Sequence, residues 1–139
     1  MDRVASRTAA TVLVVEDEPL LRDYVMDILT QSGFDVVEAG NGEEALALIS
    51  QQDGICAVVT DVAMPGSVNG IELARRVRHD LPQVGVVLVS GVLKPERAYL
   101  PIGVPFVTKP VRAATLLRLV RQVADPKAQL PEPPASAAI

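Results

Sequence analysis

The sequence predicts an α/β fold: one open, five-stranded, doubly wound parallel sheet with helices on both faces. Short, near-continuous runs of apolar, largely β-branched residues (Val12-Leu13-Val14-Val15, Val58-Val59-Thr60, Val86-Val87-Leu88-Val89, Phe106-Val107-Thr108) alternate with segments whose apolar residues recur at helical spacing. Strands covered on both faces read as continuous apolar runs, whereas half-exposed antiparallel strands alternate. Right-handed crossovers through the helices then leave few topologies. Each run also stops at a polar residue: Glu16 and Asp17, Asp61, Ser90 and Lys109. In a parallel sheet these carboxyl ends share one edge. Three acids, a hydroxyl and an ammonium gathered there suit a divalent cation and a phosphoryl group.

The elements follow in order. The first strand is 11–15. Pro19 suits a helix's first turn, where its missing N–H costs nothing, and Leu20, Leu21, Tyr24, Val25, Ile28 and Leu29 continue at helical spacing until Gly33. Residues 35–39 read as the second strand. A helix over 42–52 is expected to be buried through Ala45, Leu46, Leu48 and Ile49. The third strand is 55–60. After the loop Met64-Pro65-Gly66, a helix over 70–80 is expected to be buried through Ile71, Ala74 and Val77. Residues 84–90 and 105–108 are the fourth and fifth strands. A final amphipathic helix, 113–124, presents Leu116, Leu117, Val120 and Val123.

Composition narrows the function. A chain of 139 residues, 49% apolar, suffices for one domain. A formal charge of -4 argues against a dedicated nucleic-acid binder, which carries basic stripes. The lone Cys56 excludes an internal disulfide and fits a reducing compartment, with a small buried hydrophobe as its ordinary role. No stretch approaches the roughly 20 apolar residues of a membrane helix, and no secretory segment opens the chain. A cytoplasmic protein with no membrane partner is expected. His79 sits where a cation complements a helix C-terminus, and Arg75, Arg76 and Arg78 beside it read as a solvated face.

Four ordered segments carry a family resemblance: Val14-Val15-Glu16-Asp17-Glu18-Pro19, Thr60-Asp61-Val62-Ala63-Met64-Pro65, Val89-Ser90-Gly91 and Phe106-Val107-Thr108-Lys109-Pro110. Each is short, but together and in this order they resemble the receiver domain of two-component response regulators, from about Thr11 to Ala124. The resemblance implies the flavodoxin-like strand order 2-1-3-4-5 and a receiver domain over 11–124. Around it, 1–10 is expected to be a disordered lead and 125–139, rich in Pro and Ala, a disordered tail. No effector domain fits into that tail, so a stand-alone, single-domain receiver is expected.

The chemistry can also be argued from charge. A carboxylate approaches a phosphorylated histidine poorly because both are anionic. Mg²⁺ on hard oxygen ligands removes that repulsion. By resemblance, Glu16, Asp17, Asp61 and the backbone carbonyl of Ala63 hold Mg²⁺, and Asp61 is the phosphoacceptor that becomes an aspartyl phosphate. Lys109 would neutralise a phosphoryl oxygen and Ser90 would hydrogen-bond another. Ser90 and Phe106 would form the switch, Phe106 standing where the family often has an aromatic that turns inward. The resemblance also implies a cis Lys109–Pro110 peptide. The expected donor is a sensor histidine kinase or histidine phosphotransfer protein. The downstream partner and the oligomeric state are left open. Output would be phosphorylation-dependent protein binding or phosphorelay, with no enzymatic activity beyond slow self-dephosphorylation.

Other readings stay open on the residues alone. Asp17 or Glu18 could instead cap the helix that begins at Pro19. A Mg²⁺-dependent phosphohydrolase working through an aspartyl phosphate would normally want a second acid at position 63, where Ala63 stands. A pseudo-receiver that binds partners without being phosphorylated would not need all the site residues. Three departures from the usual family pattern matter. The loop Met64-Pro65-Gly66-Ser67-Val68-Asn69-Gly70 is longer than the commonest form. The stretch from Gly91 to Val104 is short and holds Pro95 and Pro101, which implies a shortened or irregular fourth helix on the family's usual output face. Ala63 and Val92 cannot orient a hydrolytic water through their side chains, hence the slow dephosphorylation.

Overall fold

The computed structural model describes residues 10–91, 101 and 103–124. Strands β1 (Thr11–Val15), β2 (Asp35–Ala39), β3 (Ile55–Asp61), β4 (Gly85–Ser90) and β5 (Phe106–Thr108) form one sheet in the order β2-β1-β3-β4-β5, every neighbouring pair parallel. Helices α1 (Pro19–Gln31), α2 (Gly42–Gln51), α3 (Gly70–Asp80) and α4 (Ala113–Ala124) complete the described fold. Successive side chains in a strand point to opposite faces, so each apolar run supplies both layers. Val12, Val14, Val59, Val87 and Val89 pack with Val25 and Leu29 of α1 and Leu116 and Val120 of α4. Leu13, Val15, Val58, Val86 and Leu88 pack with Ala45 of α2 and Leu73, Ala74 and Val77 of α3.

The predicted boundaries hold to within a residue, and the differences are informative. β3 runs one residue further than expected, so Asp61 is itself the last strand residue, paired with Val89. Ala10, placed in the expected disordered lead, accepts a hydrogen bond from the Asp35 amide at 2.9 Å. The expected disorder of the rest of the lead and of the tail, and the shortened helix between β4 and β5, lie outside the described residues or nearly so.

The buried faces of three helices are corrected. Leu20 is 77% exposed and Tyr24 46% exposed, whereas Val25 and Leu29 are buried. At about 100° per residue Leu20 lies roughly half a turn around α1 from Leu29, so both cannot face the sheet. In α3, Leu73 is fully buried and Ile71 only half-buried. In α4, Leu119 is buried and Leu117 half-buried. Each correction narrows the apolar stripe to residues three and four apart.

Gly70 and Gly85 are among the glycines that allow close packing no other residue would. A Cβ on Gly70, at the start of α3, would lie 1.8 Å from the Asp61 carbonyl oxygen. A Cβ on Gly85 would lie 2.3 Å from the Val123 carbonyl oxygen. The first seats α3 against the end of β3, and the second seats α4 against the start of β4.

Candidate functional site

The carboxyl edge of the sheet brings the predicted residues together. β1 delivers Glu16, whose amide donates to the Ala39 carbonyl at 3.1 Å and so extends the ladder one step. The chain then turns into α1. Glu18 is the helix N-cap, its Oε1 accepting from the Leu21 amide at 2.7 Å. That settles which acid caps the helix and leaves the exposed Asp17 carboxylate to face the site. β3 delivers Asp61, 5% exposed, and β4 delivers Ser90, 2% exposed.

Lys109 follows β5. Its amide donates to the Ser90 carbonyl at 2.8 Å, and the Lys109–Pro110 peptide is cis, as the family resemblance implies. Its Nζ lies 3.2 Å from Asp61 Oδ2 and 4.0 Å from Glu16 Oε1. Carboxylate oxygens of Glu16, Asp17 and Asp61 all lie within 4.8 Å of one another. Three acids against one ammonium leave surplus negative charge in a partly desolvated place. The strain shows at Glu16, whose pKa is pushed up to about 7, first by burial and further by the Asp61 and Asp17 charges, against the Glu18 amide and Lys109. The Glu18 amide donates to Glu16 Oε2 at 3.1 Å. Clustered hard oxygens with too little positive charge could hold a metal cation.

The loop after β3 carries Ala63, which is exposed, and is anchored at both ends. Val62 donates to Val89 O at 2.9 Å and accepts from the Gly70 amide at 2.9 Å. Further along, the Ser67 amide donates to Glu43 Oε2 at 2.8 Å, and the Ser67 hydroxyl donates to the same oxygen. These bonds hold the Glu43 carboxyl below its ordinary pKa. Gly66 takes φ +102°, the left-handed conformation that glycine adopts readily. Thus the loop is pinned to the N-terminus of α2. Phe106 is half-buried and packs against the α2–α3 core layer. Val92 lies outside the described residues.

Sequence reasoning missed Arg22. Its Nη1 donates to the Glu16 carbonyl at 2.7 Å and its Nε to Glu38 Oε1 at 2.8 Å, tying the acidic turn to β2. The available signal was Glu38, an acid near the end of a strand beside a strand that itself ends in acids. A cation on the neighbouring helix can pair with such an acid.

The response regulator receiver domain family matches residues 12–121, so the chain belongs to that family of signalling modules. Among its relatives, the transcriptional activator protein ExaE of Pseudomonas putida is 34% identical over 128 residues, 88% of this chain and 58% of the relative. An uncharacterised 14.6 kDa protein of Leptolyngbya boryana is 38% identical over 117 residues, 80% of this chain and 87% of the relative. A crystal structure of a response regulator receiver protein from Sinorhizobium medicae WSM419 superposes with TM-score 0.79 at 28% identity, covering 85% of this chain and 96% of that one. The chain spans about half the length of several curated relatives it matches. No helix among the described residues is long and apolar enough to cross a membrane.

Proposed function

We propose that this receiver takes a phosphoryl group onto Asp61 from a phosphohistidine donor, a sensor histidine kinase or a histidine phosphotransfer protein. It then signals by phosphorylation-dependent protein binding or by relay. The observation that carries this reading is the Lys109 ammonium 3.2 Å from Asp61 Oδ2, inside a cluster of three carboxylates.

Glu16, Asp17, Asp61 and the Ala63 carbonyl would hold Mg²⁺, which when bound neutralises the acids and the incoming phosphoryl oxygens. An Asp61 carboxylate oxygen attacks phosphorus, an O–P bond forms, and the P–N bond to the donor imidazole breaks. The imidazole nitrogen keeps the bonding electron pair and takes up a proton. Lys109 exchanges part of its pairing with Asp61 for a charge-assisted bond to a phosphoryl oxygen. The Ser90 hydroxyl donates to another phosphoryl oxygen. Phe106, half-buried on the neighbouring strand β5, moves further into the core as the edge rearranges. Ala63 offers no side-chain donor or acceptor to a water in line with the leaving carboxylate, so the phosphoryl group persists.

Incubating the full chain with acetyl phosphate and Mg²⁺, and reading intact mass with and without a chelator, tests the reading. One base-labile phosphoryl group, formed only with Mg²⁺, is the expected product. Absence of any adduct would indicate an unphosphorylated binding module, and multiple-turnover release of phosphate would indicate a phosphohydrolase.

A further inference from the structure

We infer that Tyr24 is a positioning residue for Lys109, an inference that rests on the phosphoacceptor reading above. Tyr24 sits on α1, its ring 46% exposed at the rim rather than in the core. Its hydroxyl nonetheless donates to the Val111 carbonyl at 2.9 Å, joining residues 87 positions apart. Val111 is two residues beyond Lys109, and its side chain is buried in the layer formed by α1 and α4.

The turn that carries Lys109 is therefore held on both sides. Before Pro110, the Lys109 amide binds the Ser90 carbonyl. After it, the Val111 carbonyl accepts from the Tyr24 hydroxyl. Lys109 has a long flexible side chain, so whether Nζ stays near Asp61 depends on where its backbone is fixed. A misplacement of about 1 Å at a reacting centre can cost about 100-fold in rate. α1 is also the helix whose cap, Glu18, follows Asp17. One helix thus spaces the acidic turn from the lysine turn, and Tyr24 is its contact with the second.

The test is a double-mutant cycle on the full chain with Tyr24→Phe and Lys109→Gln. Phe keeps the half-exposed ring and removes only the hydroxyl. The initial rate of phosphorylation by acetyl phosphate at saturating Mg²⁺ should fall about 3- to 10-fold in Tyr24→Phe, with Mg²⁺ affinity changed less than about 2-fold. In the Lys109→Gln background the same substitution should change the rate less than about 2-fold. An undiminished rate, or an equal loss with and without Lys109, overturns the inference; a merely structural role predicts the equal loss. A second measurement does not depend on phosphorylation. Acylation of Lys109 by an amine-reactive ester, mapped by mass spectrometry, should quicken in Tyr24→Phe as the ammonium leaves Asp61. If wild type takes up no phosphoryl group yet this labelling quickens, the proposed function fails and the positioning role stands. Unchanged labelling overturns the positioning role.

Discussion

At the amino ends of β3 and β4, Ile55, Ala57, Gly85 and Val86 meet apolar neighbours, and Gly85 lets α4 approach the sheet closely. At the carboxyl ends of β1, β3 and β4 lie Glu16, Thr60, Asp61 and Ser90, the buried polar residues among the described ones. One edge of the sheet is thus built for burial, where apolar area removed from water stabilises the fold at about 25 cal/mol per Å². The other collects desolvated acids, which oppose folding unless a cation compensates them. Function is concentrated where the packing rules are broken, and the opposite edge provides the rigidity that tolerates it.

Glycine substitutions test both edges at once and should have the largest effect. Gly70→Ala and Gly85→Ala each push a Cβ into backbone that cannot swing aside, at 1.8 and 2.3 Å from a carbonyl oxygen. Each should destabilise by about 3 kcal/mol in denaturant titration. They should differ in consequence. The folded fraction of Gly85→Ala should accept a phosphoryl group at the wild-type rate, whereas Gly70→Ala should be slowed because it displaces Asp61. Equal rates would show that the two edges are not functionally distinct.

Next is the charge stored at the carboxyl edge. In the metal-free protein Glu16 holds its proton up to about pH 7, against an ordinary value of 4.5. The native state binds more protons than the unfolded chain between those values. This contribution to stability is complete below the lower value and is lost as pH rises through the upper one. Wild type should therefore lose about 2 kcal/mol relative to Glu16→Gln between about pH 4.5 and pH 8 without metal. Thermal unfolding in a chelator, run across that range, checks it. A pH-independent difference would mean that Glu16 is not strained by its burial.

A smaller effect concerns lifetime. Giving position 63 a side chain able to hold water, with Ala63→Asn, should speed loss of the phosphoryl group about 10-fold, or about 1.4 kcal/mol of barrier. Decay followed by intact mass after removing the donor would show it. An unchanged lifetime would mean that water is placed by other groups.

Much of this was legible in the sequence, for physical reasons that can be named. Pro19 and Gly33 mark the limits of α1 because proline's fixed φ suits a first turn and glycine readily takes the left-handed conformation that follows a helix end, φ +97° here, and continuous runs such as Val86–Val89 mark strands covered on both faces. The acids and Lys109 were legible because a parallel sheet gathers strand ends at one edge. What escaped depends on three-dimensional neighbours. Periodicity placed Leu20 and Tyr24 in the apolar stripe of α1, but only the sheet decides which side of a helix is covered. The choice of Glu18 over Asp17 as cap rests on one side chain's reach. The Arg22 bonds to Glu16 and Glu38 cross between elements, and the Tyr24 bond to Val111 spans 87 positions that no local pattern connects.

The charged edge should place a phosphoryl group on Asp61 and on no other residue. Reduction of the phosphorylated chain with borohydride converts an aspartyl phosphate to homoserine, which tandem mass spectrometry locates by residue. Homoserine is expected at position 61 alone, absent from unphosphorylated protein and from Asp61→Asn. Homoserine at position 17, or a phosphoryl group retained on Ser90 or His79 in Asp61→Asn at the wild-type level, would contradict it.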